Sequence, residues 1–297
     1  MLQTRNFFRV LQNRSSDPQS VFGDTVAYAL SGYNYRFRPR TSDQLKEINL
    51  DRSLEIYKER FSNAAEFTFV FVGSAKESDL KPLLEKYIAS LPVNQLAIKG
   101  YNDIGANPPS GKFERMVMKG QEPKSTVMMR FNMPFKYNRK NRNEVAALSK
   151  LMNIRLREVL REEKSGVYGV SFSANPKHYP KQSLDLVIYF SCAPTNAEML
   201  TSAALEVIKE VKLKGCDEKN LIKIRETAIR ERETALKENQ FWLGTINSND
   251  QNKEDIMEIL QYNDWVKNLT TDDLKSFADR YLNTDNYSRF VLMPEKQ

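Results

Sequence analysis

VYGVSFSANPKHYPKQSLDLVIYFSC, residues 167–192, holds two strand patterns, VYGVSFSAN and SLDLVIYFSC, with only a polar loop between them. Upstream, FERMVMKG and STVMMRFNMP also read as strands, and NRNEVAALSKLMNIRLREVLREEKS reads as a helix. Downstream the order turns helical, through TNAEMLTSAALEVIKEVKLKG, DEKNLIKIRETAIRERETALKEN, QNKEDIMEILQYNDWVKN and TTDDLKSFADRYL, before YSRFVLMP closes the chain as a strand. A doubly wound fold alternates strand and helix. Here strands follow strands and helices follow helices, which predicts an α+β fold with a largely antiparallel sheet packed against helices.

The first part of the chain repeats a piece of this order. TSDQLKEINLDRSLEIYKERF (41–61) reads as a helix behind a Thr or Ser cap, EFTFVFVGS as a strand stopped by Gly73, and KESDLKPLLEKYIASL as a helix ending before Pro92. The Asn-, Gly- and Pro-rich tract that follows reads as a linker. ERFSNAAEFTFVFV, from Glu59, matches DRYLNTDNYSRFVL, from Asp279, so that Phe67 and Tyr287 are equivalent and 220 positions apart. Each copy follows a Thr-led helix, TSDQLKE or TTDDLKS. A repeating unit of roughly 220 residues follows. The expected division is 1–95 as the end of one unit, 96–112 as linker and 113–297 as a complete unit, with the chain beginning inside the first.

Composition narrows the function classes. At 297 residues, 40% hydrophobic and 28% charged, the chain exceeds one ordinary domain. No run of about 18 apolar residues is present, and the opening MLQTRNFFRVLQNRSSDPQS lacks a continuous apolar leader core. The net charge of +7 arises from 45 basic and 38 acidic residues. They interleave in DEKNLIKIRETAIRERETALKEN as on a solvated helix, and only FKYNRKNRNE is densely basic, so a nucleic-acid surface rests on net charge alone. Two cysteines, Cys192 and Cys216, make no disulfide framework.

Catalytic constellations are sparse. The sole histidine, His178, sits between prolines in a polar loop, where a solvated residue is expected; it cannot supply a zinc site alone, and any Ser-His-Asp or Cys-His arrangement would have to be built on it. H-E-x-x-H, H-x-x-E-H, a P-loop and G-x-G-x-x-G are all absent. Phe241 and Trp242 read as an aromatic pair closing one helix under the next, and VMMRFNM as a core strand. LREEKSGVYGVSF (160–172) differs, because a helix runs out at Gly166 with Arg161 in its last turn and Tyr168 just beyond. Arg161 has ordinary roles open to it, complementing the helix end or pairing with Glu158, and Tyr168 has one as a half-buried strand residue. A guanidinium and a phenol aimed at one spot would instead suit a peptide carbonyl, whose oxygen gains negative charge when the bond is attacked.

At these residues the chain resembles the second half of M16-family zinc metallopeptidases, the insulinase and pitrilysin group with its PqqL-like members. LREEKSGVYGVSF carries that half's Arg and Tyr seven residues apart, and FTFVFVGSAKESDLKPLLEKYIASLP resembles its repeat ending. The resemblance implies repeats of the LuxS/MPP-like metallohydrolase type, here one partial and one complete copy, and an architecture of two bowl-shaped halves around a chamber. It implies that Arg161 and Tyr168 bind substrate, that no catalytic residue and no metal ligand lies in this chain, and that zinc belongs to the full-length protein. The partners so implied are the N-terminal catalytic half of the same protein and a peptide or small unfolded protein, with no nucleic acid and no membrane span. The chain alone is then expected to be inactive. Long bacterial members are commonly periplasmic, so the resemblance favours that compartment. The alternative function is a non-catalytic structural or partner subunit with the same fold.

Overall fold

The structure, a computed structural model, describes residues 2–93 and 100–295. Residues 96–99 of the expected linker, with 94 and 95 before it, lie outside the described residues. In chain order the helices and strands are α1 (Leu2–Arg14), α2 (Pro18–Leu30), α3 (Leu50–Phe61), α4 (Glu77–Tyr87), β1 (Lys112–Met118), β2 (Ser125–Pro134), α5 (Arg139–Leu156), β3 (Val167–Lys177) and β4 (Ser183–Cys192). They continue as α6 (Ala197–Lys214), α7 (Glu218–Ala235), α8 (Asn239–Asn252), α9 (Tyr262–Asn268), α10 (Thr271–Tyr281) and β5 (Tyr287–Met293). Two compact units result, one of 1–42, 103–227 and 266–297, the other of 43–102 and 228–265.

The first unit is built on a five-stranded sheet in the order β1-β5-β2-β4-β3. Only β1 and β5 run parallel, and the other three pairs are antiparallel. Alternation decides which side chains enter the core. Leu184, Leu186, Ile188, Phe190 and Cys192 of β4, with Val127, Met129 and Phe131 of β2, are buried on one face. Helix α5 covers that face with Val145, Leu148, Leu151 and Met152, and α6 with Leu200, Ala204, Val207 and Ile208. Helix α10 packs on both helices, its start fixed by a capping box between Thr270 and Asp273. On the opposite face α2 lays Phe22, Val26 and Ala29 over Val117, Phe290 and Leu292. Strand β5 is therefore covered on both faces, and five of its seven residues are buried.

Beyond the reach of α2, the same face is polar. Asp185 of β4 is buried there among Arg130 Nη2 at 2.6 Å, Lys177 Nζ at 2.9 Å and Asn132 Nδ2 at 2.6 Å. Burial opposes its charge, and the three donors more than reverse that, holding the carboxyl below its ordinary range.

The second unit departs from the expected elements. The helix expected over 41–61 breaks into a 3₁₀ turn, Asp43–Glu47, and α3, because Asn49 caps a new start by accepting from Arg52 N–H at 2.9 Å. EFTFVFVGS forms no strand. Phe67 is extended, at φ −112° and ψ 140°, but no strand among the described residues pairs with 67–72. The two matched stretches nevertheless share a turn: Asn63 Oδ1 accepts from Ala65 N–H at 3.3 Å, and Asn283 Oδ1 accepts from Asp285 N–H at 2.8 Å. Arg232 lies over Phe241 and Tyr262, 4.5 and 5.0 Å from the ring centres, and donates to the Ile259 carbonyl at 3.0 Å.

Candidate functional site

The corner between α5 and β3 concentrates irregular backbone. Helix α5 buries a stripe of Leu148, Leu151, Met152 and Leu156, and Leu160 extends that stripe one turn further. Past Leu156 the helix widens into a π-helical turn, Arg157–Glu163. Such turns are uncommon, and they collect at functional sites. The Lys164 N–H closes on the Val159 carbonyl at 3.1 Å and the Gly166 N–H on the Leu160 carbonyl at 3.2 Å. Ser165 takes a left-handed conformation, φ 48°, which a side chain disfavours by about 1–2 kcal/mol. A Cβ on Gly166 would lie 2.9 Å from Leu200 Cδ2, so a larger residue here would have to push the Leu200 side chain aside. The register between β3 and β4 then slips between Val167 and Gly169, leaving Tyr168 as the extra residue of a bulge.

Arg161 and Tyr168 stand on this corner, and both are exposed. Glu158, one partner open to Arg161, is held instead by Arg155 at 2.6 Å, which also reaches Glu210 at 3.0 Å. Arg161 has no ion pair or hydrogen bond among the described residues. Tyr168 is 68% exposed rather than half-buried, and the Lys124 ammonium lies 5.9 Å from its ring centre. Sequence reasoning passed over Ser165, Lys124 and Leu200. The Ser-Gly pair at the helix end was the available signal for the first, and nothing local in the sequence points to the other two.

The remaining candidates fall to packing. His178 is not a solvated loop residue but part of a stack, 4.8 Å from Tyr137 at an interplanar angle of 9° and 4.2 Å from Tyr179, with Arg142 over Tyr137 at 4.5 Å. Phe241 and Trp242 meet edge to face at 5.5 Å, and the Trp242 Nε1–H donates to the Leu236 carbonyl at 2.9 Å. Burial pushes the Cys192 thiol up to about 11, and burial with Asp217 and Glu218 does the same to Cys216, which suits packing rather than nucleophilic attack. Among the described residues no three His, Cys, Asp or Glu side chains are grouped to hold a metal. No helix among the described residues is long and apolar enough to cross a membrane.

A family model described as the peptidase M16 inactive domain matches residues 47–228. An Arabidopsis thaliana protein named "Zinc protease PQQL-like" is 24% identical over 247 residues, which are 78% of this chain and 26% of the relative. The chain thus spans about a quarter of that relative's length. The crystal structure of the periplasmic protease PqqL from Escherichia coli superposes with a TM-score of 0.84 at 20% identity, over 99% of this chain and 32% of that one. The crystal structure of the first half of the same protease superposes with a TM-score of 0.74 at 13% identity, over 97% of this chain and 64% of that one. At these identities the likeness bears on the fold.

Proposed function

The chain belongs to the peptidase M16 family, and from that premise we propose that it is the substrate-binding C-terminal half of a zinc metallopeptidase, inactive alone and joined to an N-terminal catalytic half of the same polypeptide. Zinc then belongs to that other half, and the part left to this chain is to hold the peptide. Arg161 and Tyr168 are the residues assigned to it, the guanidinium holding the peptide and the phenol donating to the carbonyl under attack. The observation that carries this reading is the corner itself, where a π-helical turn, a left-handed serine, a glycine pressed against Leu200 and a bulge fall within Arg157–Gly169. Backbone irregularity of this kind presents side chains that regular helix and strand would place elsewhere. We assign 1–95 to the end of one repeat, 96–112 to a linker and 113–297 to a complete repeat, and place the protein in the periplasm. The exposed aromatic run Tyr57, Phe61, Phe67 and Phe69 is assigned to packing against the rest of the longer polypeptide.

Replacing Tyr168 by Phe in the complete protein tests the site. The ring and its packing remain, and only the donor is lost. A donor aimed at the developing oxyanion is worth about 2.7–4 kcal/mol, so kcat/KM should fall about 100-fold or more with Tm nearly unchanged. Arg161→Ala should weaken peptide binding as well, and the double variant should lose less than the two separate losses combined. Unchanged turnover in Tyr168→Phe would remove the residue from the site.

A further inference from the structure

Strand β3 is the outermost strand of the sheet, so one of its edges has no neighbouring strand. Along an antiparallel strand the N–H and C=O pairs of successive residues face alternately toward the partner and away from it. Phe172 turns both groups away from β4. Its N–H donates to Asn153 Oδ1 at 2.9 Å, and its carbonyl accepts from Asn153 Nδ2 at 2.7 Å and Ser149 Oγ at 3.2 Å. The Asn153 carboxamide therefore stands where a peptide group of a further strand would stand, offering the same donor and acceptor. Alternation puts the main-chain groups of Val170 and Ala174 on this same edge, and neither has a hydrogen bond there among the described residues.

We propose that an extended peptide adds to this edge at Val170, and that Asn153 ends the pairing, so the peptide runs from Val170 toward Tyr168 and Arg161 and not toward Ala174. The proposal rests on reading the corner as a peptide site. The edge is short on both sides of Asn153, since Pro176 lacks an N–H beyond Ala174 and the bulge at Tyr168 interrupts the ladder beyond Val170. The Val170 side is favoured because the exposed guanidinium and phenol stand at that end. Asn153 is thus a positioning residue that fixes how far a bound peptide strand can advance.

The test uses this chain and a fluorescein-labelled 12-residue peptide of Val, Thr and Lys. Residue-resolved hydrogen exchange should show the peptide slowing the Val170 amide about tenfold or more, with the Ala174 amide unchanged. Val170→Pro removes the edge-facing N–H, fixes φ and replaces the side chain, and should weaken binding, read by fluorescence polarisation, about tenfold, while Ala174→Pro, the same backbone change beyond Asn153, leaves it intact. The exchange arm needs no variant, and circular dichroism checks that each variant folds. Equal protection at Ala174 would overturn the proposal, as would concentration-dependent dimerisation that protects Val170 without peptide. Binding that survives Val170→Pro but falls in Arg161→Ala would overturn the edge and leave the corner standing. Absence of saturable binding would also overturn it, since β3 and Asn153 are complete in this chain, whereas the corner is judged on turnover of the complete protein.

Discussion

Gly166 and Gly169 are separated by two residues and differ in what a side chain would meet. A Cβ at Gly166 would press on Leu200, which is fully buried, whereas nothing lies within 4 Å of one at Gly169. Gly166→Ala should therefore cost about 1–3 kcal/mol through forced repacking, and Gly169→Ala should be neutral or stabilising by up to about 1 kcal/mol. Chemical denaturation of the two variants separates the cases, and equal stability would mean that the corner is not held against α6. The helix stop at Ser165-Gly166 and the spacing of Arg161 to Tyr168 were both legible in the sequence, the second only through the family resemblance. The π-helical turn and the bulge were not. Leu156 and Leu160 are four apart, as on any helix face, and the widening between them depends on how α5 meets its neighbours.

Strands β2 and β4 were legible to the residue because one face of each is apolar and buried while the other is more polar and only partly covered. FTFVFV carries the same signal and forms no strand, since propensity supplies a shape and only a neighbour supplies the ladder. Helix α8 is not legible because NQFWLGTINSNDQN has too few apolar residues to show a stripe, and α2, which covers β5, lies mostly in 21–30, beyond the opening that bears on a leader and before the first helix expected from the sequence. Buried Asp185 ties β2, β3 and β4 together through Arg130, Asn132 and Lys177. Its folded pKa lies below the unfolded value, so its stabilisation is present above the unfolded value, about 4, and is lost as pH falls through the folded one. Asp185→Asn leaves Arg130 buried beside a neutral group and should cost about 3 kcal/mol at pH 7. Denaturant melts from pH 7 to pH 2 should show the difference between the two proteins shrinking below pH 4. A constant difference would mean the carboxylate is not the tie.

At the scale of the molecule the two units differ in how much of themselves they bury. The sheet unit has fully buried Phe131, Phe190 and Phe290 with Leu148, Leu151 and Leu186 around them. Helices α3 and α4 of the other unit contain no buried residue, and Leu50, Leu54, Tyr57, Phe61, Phe69 and Phe71 are exposed there. Aromatic contacts along Tyr57, Phe61, Phe67 and Phe69, at 4.9, 5.8 and 6.2 Å between ring centres, join neighbours on a surface without enclosing them. An amide opens with a free energy set by the apolar surface that opening exposes to water, so protection should follow this division. In this chain alone, the amides of α3, α4 and residues 67–72 should exchange at least about 100-fold faster than those of β2 and β4, a gap of about 2.7 kcal/mol in local stability. In the complete protein the same amides should slow, because the rest of the polypeptide then covers the aromatic run. Protection of residues 50–93 equal to that of the sheet in the isolated chain would mean that this segment carries a core of its own, and the assignment of its aromatic surface to the other half would fall.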